Sequence, residues 1–187
     1  MSVSLEFRVG VGFVFTRSAI IIGSCVKEIA TPSITGRCNV TWKPHVTVAA
    51  VVERHSRFLI VEEQDQGKIV YNQPAGHLEP DESLLQAVAR ETLEETGWHI
   101  RPTALVGVYQ WTSPGNGVTY LRACFAGECL QHEVDRALDE GILRALWLSR
   151  EELLALSPQL RSPLVLRCID DYLAGPGYPL DVIHHLT

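Results

Sequence analysis

Three glutamates crowd one short stretch, RETLEETGW (residues 90–98), at the end of an apolar-periodic run. Helical spacing puts Glu91, Glu94 and Glu95 at i, i+3 and i+4, so their carboxylates project from one patch. That patch falls in the last turns, where free backbone carbonyls already carry partial negative charge and each acid costs about 0.3–1 kcal/mol. Glu91 and Glu95, four apart on one face, add a like-charge penalty of a few tenths of a kcal/mol, on the order of 0.2–0.5. A solvated charged face is the usual reading of isolated acids, but it does not account for their crowding at the unfavourable terminus. A hard divalent cation does. Mg²⁺ takes oxygen ligands in octahedral geometry and keeps several waters, and its charge turns a repelling cluster into a preformed site. Arg90, four residues before Glu94, can pair with it and hold that carboxylate in one rotamer.

The elements that must position this patch are legible around it. Residues 83–96 have helical spacing, with Leu85, Val88, Ala89 and Thr92 as the apolar side. Ser83-x-x-Gln86 fits a capping box at the start, and Gly97 supplies a left-handed stop. HVTVAAVVE (45–53) and RFLIVEE (57–63) read as a β-hairpin. TALVGVYQW (103–111) and GVTYLRACFAGECL (117–130) read as a longer hairpin around Ser-Pro-Gly-Asn. An acidic loop follows, then a strand over 142–149, a capped helix from Ser149 and a last helix over 162–175. The pattern is α+β, a mixed sheet with helices against its faces. Strand alternation puts Tyr109 and Trp111 on one face, and Tyr120 and Arg122 likewise.

Composition narrows the chemistry. With 46% apolar and 20% charged residues over 187 positions, the chain can bury one good core. A net charge of −6 argues against nucleic acid or an anionic membrane as partner, since both call for a basic face. A phosphorylated small molecule stays open, because a bound metal brings the positive charge. The five cysteines are scattered without CxxC spacing, which favours idle thiols in a reducing, cytoplasmic setting. No apolar run reaches the roughly eighteen residues of a membrane span, and the start lacks the basic, continuous pattern of a signal peptide. Residues 1–41 lack helical periodicity and end in a Thr-Pro-Ser-Ile-Thr-Gly loop (31–36). The expectation is an N-terminal extension, flexible or not translated in the cell, with a pair of edge strands as the other account. The domain is then 42–187.

Gly76, Glu82, Arg90, Glu91, Glu94, Glu95 and Gly97 complete the pattern G-x5-E-x7-R-E-U-x-E-E-x-G-U, seven fixed residues over twenty-two positions. This resembles the Nudix box. Thr92 and Trp98 depart from it, standing where the pattern asks for an aliphatic residue; both are packing positions, so altered packing and intact chemistry are expected. KPHVTVAAVV before the box, YNQPAGHLEPDE leading into it, and LRSPLV and YPL near the C-terminus are similar to the NudJ-type phosphatase subgroup. The resemblance implies a Nudix-type mixed β-sheet packed between helices, an α/β/α sandwich. It also implies Mg²⁺-assisted attack of water on phosphorus, with Mn²⁺ able to substitute.

Carried over by motif position, Glu91, Glu94 and Glu95 become metal ligands, one of them also a base. Arg90 orients Glu94, Glu82 positions groups or binds through water, and Gly76 and Gly97 shape the loops. The family's further carboxylate from a distant loop would come from HEVDRALDEG (132–141), with Glu140 the first choice ahead of Glu133, Asp135 and Asp139. Substrate candidates are Gly76 and His77 at the box, Trp111 and Tyr120 for stacking, and Arg122 for a phosphate. Loop packing, core packing and a surface ion pair are their respective alternatives. The leading function is hydrolysis of nucleoside tri- and diphosphates or related small diphosphates, the pyrimidine diphosphate of thiamine synthesis among them, with release of phosphate. ADP-ribose or dinucleoside polyphosphate cleavage is the second reading, and a nucleotide-sensing domain without catalysis the third. A monomer or small homo-oligomer is expected.

Overall fold

The computed structural model describes residues 42–186; the reading of residues 1–41 as an extension lies outside the described residues. Seven strands and three α-helices run in the order β1 (His45–Arg54), β2 (Arg57–Asp65), β3 (Lys68–Asn72), β4 (Ala75–His77), α1 (Leu84–Thr96), β5 (Trp98–Thr112), β6 (Thr119–His132), β7 (Ile142–Leu148), α2 (Arg150–Ala155) and α3 (Leu164–Ala174). Both hairpins, the 142–149 strand and all three helices anticipated from sequence are present. No helix among the described residues is long and apolar enough to cross a membrane.

The strands form a mixed sheet. β1 runs parallel to β6 and antiparallel to β4, and β5 closes that side antiparallel to β6. β2 carries β3 on one edge and β7 on the other, both antiparallel. It joins β1 only at the hairpin turn, Glu53–Phe58 and Arg54–Arg57, so the two halves splay apart beyond it. That splay leaves room for a cleft between them.

Alternation along β1 divides the core. Val48, Ala50 and Val52 join Leu59, Ala87, Val88, Ala123 and Phe125 beneath α1. Ala49 and Val51 join Phe58, Ile60, Cys124 and the α3 residues Val165, Cys168 and Ile169 on the other face. Helices on both faces make the α/β/α sandwich. Ser83 caps α1 as anticipated, its hydroxyl accepting from the Gln86 N–H while the Gln86 side chain accepts from the Ser83 N–H. Gly97, at φ 71°, ends the helix in the left-handed conformation, and β5 starts at the next residue. The helix therefore has no slack: its last turn is fixed by a strand leaving from its cap.

Candidate functional site

The acidic helix end is built around Arg90. Its guanidinium donates from Nε to Glu82 Oε2 (3.0 Å) and from Nη2 to Glu82 Oε1 (2.8 Å). Nη1 donates to Glu91 Oε1 and Glu94 Oε2, both at 2.9 Å, and Nη2 also reaches the His77 carbonyl at 3.1 Å. One planar fork thus locks three box carboxylates and the loop before the helix. Sequence reasoning paired Arg90 with Glu94; the structure adds Glu82 as its bidentate partner. Glu82 in turn accepts the Glu79 N–H at 2.7 Å, which ties the loop to the hub. The Arg90 hydrogen bonds hold the Glu82 carboxyl below the usual range, and those to Glu82 and its other acid partners make Arg90 harder still to deprotonate.

Glu91 and Glu95 point inward instead. Their residues are only 8% and 9% exposed, which is unusual for acids without a full counter-charge. Burial pushes the Glu91 carboxyl up, against the pull of Arg90. Burial pushes Glu95 well above the usual carboxylate range, against the hydrogen bond donated by the Ala75 N–H at 2.9 Å. Asp139 in the acidic loop raises both further by its charge.

Gly76 explains how Glu91 reaches this position. A methyl group built on Gly76 would overlap the Glu91 carboxyl carbon and both its oxygens. The box glycine is therefore a seat for the box carboxylate. Gly76→Ala should swing Glu91 out of place and lower kcat/KM more than about 10-fold, since misplacement by an ångström costs that much or more. Its stability cost should be about 1–3 kcal/mol, the range of a single overpacking. Steady-state rates set beside a thermal melt check this; full activity would mean that the position of Glu91 is immaterial.

The two departures from the box are packing changes, as anticipated. Thr92 is fully buried and its hydroxyl donates to the Val88 carbonyl at 2.7 Å, so no polar group is stranded. Trp98 stacks on His132 with centroids 4.4 Å apart and meets Trp147 edge-on.

The carboxylates of Glu91, Glu94 and Glu95 form an all-oxygen donor set on one helix face. Among the described residues no three acidic, imidazole or thiol side chains already stand together as a closed ion cage. Two of the three lean on one Arg90 nitrogen and the third on a backbone N–H. The set nonetheless fits a hard divalent ion: oxygen donors only, net negative, and two members desolvated beyond what their present partners offset.

Of the loop acids, Glu140 is exposed and no hydrogen bond or ion pair joins it to this cluster. Its neighbour Asp139 donates its backbone N–H to the Glu94 carbonyl at 3.1 Å. Glu133 is engaged elsewhere, by His99 and Arg136.

A cleft of about 400 Å³ opens between the two halves of the sheet, beside β4. Gly76, His77, Trp111, Tyr120 and Arg122, the substrate candidates from sequence, all line it. Trp111 and Tyr120 are register partners on β5 and β6 and stack at 6.0 Å with planes 25° apart. Tyr109 turns away, donating its hydroxyl to Asp171 at 2.9 Å. Arg122 is 8% exposed and makes no ion pair among the described residues, so the surface ion pair weighed for it is not what the fold builds. His77 shares a hydrogen bond with His45 across 2.9 Å, and burial lowers its pKa. The cleft also holds residues that sequence reasoning missed: Thr47, Glu63, Asn72, Arg161 and Ser162. Glu63 had one available signal, a charge at the inner end of the apolar strand RFLIVEE.

Comparison with known proteins agrees with the geometry. The profile of the family described as NUDIX domain matches residues 43–167. "Phosphatase NudJ" of Escherichia coli K12 is 46% identical over 142 residues, covering 76% of this chain and 92% of that protein. A solved NUDIX hydrolase from Nitrosomonas europaea is 52% identical with a TM-score of 0.75, covering 77% of this chain and 98% of the other. A UDP-X diphosphatase structure is 19% identical with a TM-score of 0.60, covering 73% of this chain and 66% of the other, and shares the fold alone. Profile, relatives and fold converge on one membership: the chain belongs to the NUDIX family of hydrolases.

Proposed function

We propose that this phosphoanhydride hydrolase is Mg²⁺-dependent and removes phosphate from nucleoside tri- and diphosphates or related small diphosphates, a thiamine-pyrimidine diphosphate among them. The observation that carries the reading is the Arg90 hub beside two desolvated glutamates, opening beside a polar cleft. Glu91, Glu94 and Glu95 would hold the ion, with Mn²⁺ an acceptable replacement. Bound there, a divalent cation supplies charge neutralisation at the phosphate oxygens and a more acidic water.

The rest falls to the chain's own groups. Arg90 fixes Glu91 and Glu94 in one rotamer each, and Glu82 fixes Arg90. The Ala75 N–H holds Glu95, and the bare Gly76 leaves space for Glu91. One of the three ligand acids takes the proton of the attacking water. Asp139, through its closeness to Glu91 and Glu95, is a better candidate than Glu140 for the loop acid. The free thiols of Cys124, Cys129 and Cys168 fit the cytoplasmic assignment, and the net charge of −6 is compatible with a small phosphorylated substrate once a bound cation supplies the positive charge. A monomer or small homo-oligomer is the assembly proposed.

The relative's printed name, a phosphatase, supports phosphate release over cleavage between two nucleotides. A substrate panel with Mg²⁺, scored separately for orthophosphate and pyrophosphate, tests it. Orthophosphate from nucleoside tri- and diphosphates is expected. Preferred splitting of ADP-ribose or a dinucleoside polyphosphate into two phosphorylated halves would overturn the choice of substrate.

A further inference from the structure

Among the described residues, five buried side-chain polar atoms have no hydrogen-bond partner: Thr47 Oγ1, Glu63 Oε1, Asn72 Oδ1, Arg122 Nε and Ser162 Oγ. All five belong to residues that line the one cleft beside β4. A buried polar atom stranded without a partner loses its hydration for nothing in return, so folded chains rarely leave five in one place. Thr47, Asn72, Arg122 and Ser162 are each more than nine-tenths buried, which makes the cleft a built site.

The kinds of atom define the ligand. Glu63 Oε1 and Asn72 Oδ1 can only accept, if the acid is ionised, and Arg122 Nε can only donate; the two hydroxyls can do either. Arg161 donates to Glu63 Oε2 at 3.3 Å and also pairs with Asp65, which leaves Oε1 to the cleft. Burial raises the Glu63 carboxyl, while the nearby charges of Arg161 and Arg122 pull it the other way and favour the ionised acceptor. A phosphate offers acceptors and negative charge, so it satisfies neither Oε1 nor Oδ1 and is repelled by Glu63 and Asp65. The occupant must bring N–H donors alongside at least one acceptor. The stacked pair Trp111 and Tyr120 on the wall adds a second demand, for a flat π-face. The volume of about 400 Å³ suits one heterocycle with part of a sugar.

We propose that this cleft selects an amino-substituted nitrogen heterocycle as the non-phosphate part of the substrate, with Glu63 and Asn72 accepting from its amino edge and Arg122 donating to a ring nitrogen or carbonyl. Glu63 and Asn72 are then specificity-determining residues, and Arg122 reads the ring in place of a phosphate. The proposal rests on the hydrolase reading above for its orientation, since Gly76 and His77 connect the cleft to the acidic helix end.

Pairs of nucleosides that differ at one amino or oxo group test it: adenosine against inosine, and cytidine against uridine. Binding is measured by calorimetry on the whole chain without metal, and kcat/KM on the corresponding diphosphates with Mg²⁺. At least one amino member should bind and react about 10-fold better than its oxo partner, the effect of one unpaired buried acceptor. Glu63→Gln should collapse or invert that ratio, because its carboxamide can donate to the oxo group. Asn72→Leu, close in volume, should also shrink the ratio and serves if E63Q fails to fold. Equal affinities within each pair, no saturable nucleoside binding, or a ratio untouched in both variants would each overturn the proposal. Inorganic tripolyphosphate separates the two claims. Its hydrolysis without any amino-over-oxo preference leaves the hydrolase reading standing and removes this one; no turnover of any nucleoside diphosphate, with the amino-over-oxo preference intact in calorimetry, does the reverse.

Discussion

Glu94→Gln is expected to lower kcat at least about 100-fold while moving the melting temperature by no more than about 2 °C. The two effects separate because Glu94 is the least buried of the three acids, its side chain 31% exposed. Its bond to Arg90 is an i,i+4 pair at 2.9 Å, worth about 0.3–0.5 kcal/mol at such a site. Against that, the carboxylate sits at the negative end of α1, where its charge costs about 0.3–1 kcal/mol. The net is within about 0.5 kcal/mol, a shift of one or two degrees for a domain of this size. Function has no such compensation. Gln keeps the shape and loses the charge, and loss of a ligand should exceed the roughly 10–100-fold typical of disturbing the groups that merely orient ligands. The same variant should show a smaller rise in melting temperature on adding Mg²⁺ than the unaltered chain, because binding to the folded state stabilises by mass action. An unchanged rise would move the ion off Glu94.

Arg90→Met should be damaging in both respects. Its Nη and Nε atoms serve Glu82, Glu91 and Glu94, whose side chains are 14%, 11% and 31% exposed. Removing the cation leaves mutually repelling acids partly out of water, and a broken, largely buried charge pair of this kind costs about 3–5 kcal/mol. Activity should fall at least about 100-fold, since Glu91 and Glu94 lose the fork that sets their rotamers. Arg90→Lys is the informative companion. An ammonium restores the charge but cannot span three carboxylates and a carbonyl at once. It should recover most of the stability, read by denaturant melts, and little of the rate. Full recovery of the rate would mean that charge alone matters and the fork geometry does not.

The parts of this site that were legible in the sequence are the local ones. Glu91, Glu94, Glu95 and Arg90 lie within six residues, so helix periodicity alone puts them together, and the capping signals at Ser83 and Gly97 place both ends. Tyr109 and Trp111 pack against the same core cluster, as strand alternation puts them, although only Trp111 lines the cleft. What could not be read was pairing across the chain. The parallel β1–β6 partnership sets Thr47 beside Arg122, and the β2–β3 hairpin sets Glu63 and Asn72 near them, from positions with no shared local pattern. Strand β4 is three residues long behind a proline, too short for period-two alternation to register. The seating of Glu91 on Gly76 is likewise tertiary: the motif names both residues but not the contact between them. Glu140 and Asp139 are adjacent in an acidic loop, and only the fold of that loop against the end of α1 distinguishes them.

The most direct measurement is a crystal of the whole chain soaked in Mn²⁺, with anomalous scattering used to locate the ion. The account predicts a peak at the C-terminal end of α1, bonded to carboxylate oxygens of Glu91, Glu94 and Glu95 and beside the Gly76 end of the cleft. A peak held by other residues, or these three side chains still gripping Arg90 and Ala75 with no ion among them, would contradict it.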